Sequence, residues 1–483
     1  MRVPPEILAV ERPKNTVVCV YGKNNDKYSV RCRTGCKYDH GRRLPINGRV
    51  IGHIINGVYV PKEDSSDKKP VSQSDIALKD WGNIKLCDEL AHKLLDELCE
   101  VYTRNDALKI YCIAILRVCN PGITDNELKE TYETSFLSEL YPGVALSKNT
   151  VSVFFKDLGK AYNKINEYMK LRTAAVENGD HVLVDGTLKT NNSEVNTLSD
   201  FSHKSAKKGS QNISILYAYD YEKGEPICSK CFPGNMPDSV SYEDFIKEFG
   251  LTRGIITGDK AFSYSCAKNY LDQNCDLHYL NPLKKNSKYI DEYELLNYEG
   301  QLSNDSDVMY KVAKISVDGN DKWLYSFRNR SIAHKEETNW LIKAHKKGSF
   351  NMSKYDEDWL RFGILVLESD IKLTPERAYE IYSYRWEIEL VMRYYKQSCE
   401  FDETRVHSDY SVIGSELCSF ISSVITFRLI KAFNKSKLLE KYTYSKIMRI
   451  LARAKMVHDK NDWKLIRINP SYLLILKSLG LIS

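Results

Sequence analysis

The 483-residue chain contains no apolar run that approaches about 18 residues, the length a membrane span requires. Its opening stretch, MRVPPEILAVERPK, lacks the apolar core of an export signal. The expectation is a protein that is neither exported nor embedded in a membrane. A disulfide scaffold is also missing: the 13 cysteines are odd in number and irregularly spaced, which fits a reducing cytoplasm. Strong net charge is absent too. Lys and Arg number 70 against 64 Asp and Glu, so bulk basicity argues little about partners. What remains is an ordinary globular composition, 42% hydrophobic and 28% charged, in a chain long enough for about three domains.

The distribution of charge says more than its sum. Residues 27–49 hold seven Lys/Arg against one Asp, a local excess equal to that of the whole chain. Further clusters are Lys204/Lys207/Lys208, Lys284/Lys285/Lys288, Lys343/His345/Lys346/Lys347 and Lys446/Arg449/Arg453/Lys455. Any one cluster is compatible with a solvated surface. Several of them on separate segments suit a long polyanion that crosses more than one domain.

Residues 1–60 read as short strands with an Asn56-Gly57 hairpin turn, a small basic β domain whose expected partner is the DNA backbone. Arg42, Arg43 and Arg49 are its candidate phosphate contacts. Cys32, Cys36 and His40 hint at a metal site, but only His53 offers itself as a fourth ligand and small buried thiols are the plainer reading. Residues 61–75 are polar and aperiodic, a linker. Residues 76–176 turn helical, and a Ser147-capped helix with Val151, Phe154, Phe155 and Leu158 inward leaves Lys148 and Asn149 at its exposed N-terminal end. That pattern is compatible with a helix-turn-helix reader of DNA, and equally with a plain helical hairpin.

From residue 177 to 283 the pattern is α/β. The apolar strand HVLV delivers Asp185-Gly186-Thr187, ISILYAYD ends in Asp220, and GIITG ends in Asp259. A buried strand carries such an acid to a rigid edge, and Gly186 allows close approach. Taken alone, Asp185-Gly186 is also an ordinary turn. Residues 284–370 break the alternation with strand-like MYKVAKISV, KWLYSFRN and FGILVLES, a β-rich insertion. Residues 371–435 read as helices, and 436–483 as a basic helical tail. Cys228 and Cys231 lie in a strand pattern without a partner pair. Trp323 and Trp340 suit core packing, with stacking on a displaced base as the other reading.

The helix from Ala378 to Lys396 organises the rest. Thr374-Pro375-Glu376 supplies its cap and a first-turn proline. At roughly 100° per residue, Tyr382, Arg385, Glu389 and Lys396 fall within about 60° of arc on one stripe. Glu387 should point about 160° away from Glu389. An exposed helix stapled by the Arg385/Glu389 pair would show part of this pattern. The spacing Tyr-x2-Arg-x3-Glu-x6-Lys, however, resembles the signature helix of the YREK group of bacterial insertion-sequence transposases, DDE enzymes with a ribonuclease-H-like core. The LYPG-to-KDLG run and the order of the strand-borne acids resemble the same group over most of residues 120–430. Ala261 departs from it, since the family usually has Gly there.

The resemblance implies a ribonuclease-H-like mixed sheet and a catalytic triad of Asp185, Asp259 and Glu389, with Asp220 the competitor for the second place. Three carboxylates are hard oxygen ligands of the kind Mg²⁺ or Mn²⁺ prefers, and two ions about 4 Å apart would serve an in-line phosphoryl displacement. Tyr382, Arg385 and Lys396 would contact DNA near the cleaved end. The implied activity is cut-and-paste transposition: hydrolysis at the terminal inverted repeats, then strand transfer into target DNA, by a homodimer in a bacterial, nucleoid-associated cytoplasm. A catalytically silent DNA-binding relative and a ribonuclease-H-like nuclease on structured nucleic acid are the alternatives.

Overall fold

The computed structural model describes residues 3–22, 27–39, 42–62, 77–191, 193, 195–202, 205, 209–317, 319–393, 396, 402–459 and 462–482. It divides into two compact units, Met1–Ala77 and Leu78–Ser483.

The first unit is a four-stranded antiparallel meander of Thr16–Tyr21, Lys27–Asp39, Arg42–Ile55 and Val58–Pro61. Its turn at Asn56-Gly57 takes positive φ at both residues, 50° and 77°, the twist-matching turn that this dipeptide favours. Val18, Val30 and Ile54 are its buried centre, a small core for a sheet of this length.

In the second unit, buried strands of Val, Ile and Leu build one large mixed sheet. His181–Thr190 lies antiparallel to Gln211–Asp220, which pairs with Glu225–Pro233. On its other side, Arg253–Gly258 and then Asp276–Pro282 run parallel to it. With the strands counted in chain order, the sheet reads 3-2-1-4-5, the ribonuclease-H-like order. The apolar run at residues 181–184 is continuous because both faces of that strand are covered.

The insertion extends this same sheet. Ile364–Ser369 lies antiparallel to Asp276–Pro282, followed by Asn320–Asn329 and Val308–Val317. It also carries helices that the pattern did not announce, the short Lys288–Glu292 and the longer Arg330–Lys347 and Met352–Trp359. The last segment differs from a purely helical tail. Between its helices, Lys455–Asp459 and Asp462–Leu465 form a hairpin, and the first of these strands pairs with Leu78–Asp80.

One helix, Asp409–Lys435, runs through the core and packs on the helices Gly82–Val101, Arg104–Cys119 and Lys148–Lys160. Its best 18-residue window has a mean hydropathy of 1.4, enough by length and composition to cross a membrane, yet 89% of that window is buried inside the fold. It crosses Lys148–Lys160 with the two backbones in contact. A Cβ on Gly159 would meet the Tyr410 carbonyl oxygen at 1.9 Å, and one on Gly414 would meet that of Phe155 at 2.0 Å.

Candidate catalytic site

Strand geometry sets out the site. The side chains of His181, Asp185 and Lys189 share one face, because alternate residues of a strand point the same way. The strand does not stop at Asp185 as its Asp-Gly-Thr sequence suggests; it continues to Thr190. Its parallel neighbour is the one that stops. Pairing with Arg253–Gly258 ends at Val184 opposite Gly258, so Asp185 emerges where the sheet loses a strand. Asp259 follows directly on that neighbour, exposed, and caps the turn Lys260–Phe262 by accepting from the Lys260 N–H at 2.6 Å. The two acids therefore stand at the same end of adjacent strands.

Gly186 is close-packed on the opposite face, where a Cβ would lie 2.8 Å from Oδ2 of Asp238. The close approach expected at Gly186 is thus made by this buried acid at the start of the helix Asp238–Glu248. Asp220 is placed elsewhere. Its strand is antiparallel, which puts it opposite Val182, towards the other end of the sheet. There it is 1% exposed, accepts from the Lys223 N–H and pairs with the Lys223 ammonium at 3.0 Å.

The helix Pro375–Arg393 supplies the remaining groups, with Ala378, Ile381, Ile388 and Met392 buried beneath it. Arg385 forms an ion pair with Glu389 one turn on, and its guanidinium lies 5.7 Å from the Tyr382 ring centre. Burial works against the charge on Arg385, but Tyr382, Glu389, Asp185 and Asp259 together hold its pKa above the ordinary value. The Asp185 carboxyl responds to the same neighbours: burial pushes it up to about 6, Arg385 opposes the shift, and Glu389 and Asp259 add to it. Burial also raises the Tyr382 phenol. The three expected acids thus act electrostatically on one another and on Arg385.

Lys396 sits deeper than an open DNA contact. Its Nζ donates to the Leu188 carbonyl at 2.8 Å, and burial followed by the Lys189 charge brings its pKa down to about 8. The side chain of Glu387 lies outside the described residues.

The donor set fits a divalent cation. Three carboxylates balanced by one guanidinium are short of positive charge, and hard oxygens suit Mg²⁺ or Mn²⁺. As the side chains stand, no three acidic, imidazole or thiol groups among the described residues converge closely enough to hold an ion. Glu389 is turned onto Arg385 instead, so an ion held by all three acids requires that pair to open.

The other expected contacts lie apart. Lys148 and Asn149 are exposed on the first turn of Lys148–Lys160, capped by Ser147. Arg49 is exposed in the N-terminal sheet, while the side chains of Arg42 and Arg43 fall outside the described residues, as does His40. Cys36 is exposed and Cys32 half-buried, so these thiols are not the fully buried pair that the plainer reading expected. The indole N–H of Trp340 is bonded to Asp358 at 2.8 Å, and its ring packs edgewise on Phe350, Tyr355 and Phe362. Trp323 has Lys314 and Lys372 over its ring.

Sequence reasoning missed the pair of Lys189 with Glu416, 2.6 Å apart and 1% and 7% exposed. The partners are too distant in the chain for any local signal.

Comparison with known proteins adds a family match. No curated protein matches the chain. Among solved structures it is similar to a piggyBac transposase in a synaptic complex with hairpin DNA, at 14% identity over 79% of this chain and 82% of that one, with a TM-score of 0.37. Residues 177–412 match the family model described as the transposase DDE domain, and the matched span takes in Asp185, Asp259 and Glu389.

Proposed function

We propose that this protein is a DNA transposase of the cut-and-paste kind, which hydrolyses phosphodiester bonds at the ends of an insertion sequence and joins those ends to target DNA. One observation carries the reading: Asp185 and Asp259 stand at the same end of adjacent strands of a ribonuclease-H-ordered sheet, and Arg385, paired with Glu389, is within reach of their charge. Asp185, Asp259 and Glu389 would hold Mg²⁺ or Mn²⁺, a pair of which supplies Lewis acidity to the attacking and leaving oxygens of an in-line displacement.

The chain's own groups position the strand. Arg385 presents a planar fork that accepts a phosphate as readily as a carboxylate, so a DNA phosphate competes with Glu389 for it. Release from Arg385 turns Glu389 towards the other acids. In this reading Tyr382 donates to a neighbouring phosphate, and Lys396 ties the strand at Leu188 to the end of the signature helix. Lys148, Asn149, Arg42, Arg43 and Arg49 grip duplex phosphates further from the cut. Inverted-repeat DNA and target DNA are the partners, with a homodimer assembled on them.

Cleavage of a duplex that carries the element's own ends tests the proposal. Asp185→Ala, Asp259→Ala and Glu389→Ala should each abolish cutting in Mg²⁺ while binding persists, and Ca²⁺ should support binding without cutting. Cutting that survives in Asp259→Ala but is lost in Asp220→Ala would put the second acid at the wrong place.

A further inference from the structure

Next to the catalytic end lies a cavity of about 790 Å³, and two of the basic clusters read from the sequence converge on it. Lys284 and Lys285 come from the turn after Asp276–Pro282, Lys343 comes from the insertion helix Arg330–Lys347, and Lys260 follows directly on Asp259. Trp340 and Phe362 form its apolar wall. A second cavity of about 300 Å³ adjoins it through Lys260, Lys285 and Glu336, and that one is lined by Tyr382 and Trp386 of the signature helix. The two cavities make a track that starts beside the catalytic helix and ends on the insertion.

The hydrogen bonds show which charges on this track are already used. Lys285 is held by Glu336 at 2.7 Å, and the same carboxylate accepts from the Gly363 N–H. Arg361 is bonded to Asp291 at 3.1 Å. Asp358 is occupied by the indole of Trp340. Both acids of the larger cavity therefore have partners. Lys260, Lys284 and Lys343 are exposed, and none of them has an ion-pair partner among the described residues. Three unpaired ammonium groups around a cavity whose acids are neutralised make a site for an extended anion. Trp340, with its N–H bonded and its ring packed edgewise, contributes a wall.

We infer that Lys260, Lys284 and Lys343 form a second phosphate site, which holds the sugar-phosphate backbone of the DNA strand running from Asp259 onto the insertion. The inference rests on the proposed function, because it takes DNA as the substrate. It goes beyond that reading in giving the insertion a direct grip on the strand beside the cut. A free nucleotide offers the same phosphate chemistry, so the test must separate the two sources.

The test uses the full chain and a fluorescent duplex carrying the element's ends, with binding measured in Ca²⁺ between low and moderate salt. The combined variant Lys260→Gln/Lys284→Gln/Lys343→Gln should flatten the plot of log K against log salt by up to about 2.7, at roughly 0.9 for each phosphate no longer neutralised. All three lysines are exposed, so its thermal melt should match the parent's. An unchanged slope, in a parent chain that still cuts in Mg²⁺, would overturn the second site and leave the catalytic proposal standing. A parent chain that binds no DNA would overturn both. Saturable binding of dATP that the triple variant loses, alongside an unchanged DNA slope, would assign the cavity to free nucleotides and overturn the inference.

Discussion

Two cation–carboxylate pairs border one face of the same strand, and they behave differently. Lys189 and Glu416 are 1% and 7% exposed, and Thr404 donates to the second carboxylate oxygen at 3.0 Å. Arg385 and Glu389 are 14% and 32% exposed, and share their surroundings with two further acids. The first pair is closed and satisfied. Removing one partner leaves a largely buried charge without its counter-ion. The second is open and overloaded with negative charge, so its partners can be exchanged for solvent, a phosphate or a cation. Burial and completeness of partners, rather than the type of pair, separate what holds this fold from what is available for chemistry.

The largest expected effect tests the open pair. Glu389→Gln keeps the size and removes the charge, so cleavage should fall by several orders of magnitude. Its melting temperature should hardly move, since a partly exposed pair contributes about 0–1 kcal/mol. A large loss of stability in this variant would mean that the open pair is structural and would erase the contrast.

The closed pair gives the reverse signature. Lys189→Met should cost about 3–5 kcal/mol in chemical denaturation, by leaving Glu416 buried and uncompensated. Lys189→Met/Glu416→Leu should recover most of that loss, because a buried pair replaced as a unit is about neutral or better. A double variant no more stable than the single one would show that the pair is a functional charge and not a lock.

A smaller effect sharpens the comparison at the strand's other end. His181 is 2% exposed on the same face, and burial, with Arg377 nearby, brings its pKa down to about 3 from the ordinary 6.5. The folded chain therefore keeps His181 neutral while the unfolded chain takes up a proton below about pH 6.5. Its contribution is fully present above that pH and is lost as pH falls towards 3. By linkage the loss is about 1.4 kcal/mol at pH 5.5. Denaturation of the parent and of His181→Leu at pH 7.5 and 5.5 should show a steeper decline in the parent. Parallel declines would mean that the acid sensitivity lies elsewhere.

What the sequence made legible follows from how local each signal is. The Val-Leu-Val run and the acid after it are local, so Asp185 and Asp259 could be found, and helical geometry alone put Arg385 and Glu389 on one stripe. The strand's continuation to Thr190 was not legible, because what ends at Asp185 is a neighbour far along the chain, seen in the pairing of Val184 with Gly258. The helix Arg330–Lys347 was missed because only Ala333 and Ala344 are buried along it, so no apolar period marks it. Nothing near Lys189 in the sequence sets it apart from other lysines. Only the fold brings Glu416 to it, from a helix more than 200 residues on.

The crossing at Gly159 and Gly414 has a mechanical consequence. Because backbone meets backbone there, the helix that exposes Lys148 and Asn149 cannot slide or tilt on Asp409–Lys435 without main-chain collision. That second helix is tied through Glu416 to Lys189, on the strand that also bears Asp185. These contacts join three elements in series, the helix of Lys148, the helix Asp409–Lys435 and the strand of Asp185. The position of Lys148 is thereby linked to the strand that bears Asp185 by main-chain contact at one joint and a buried ion pair at the other.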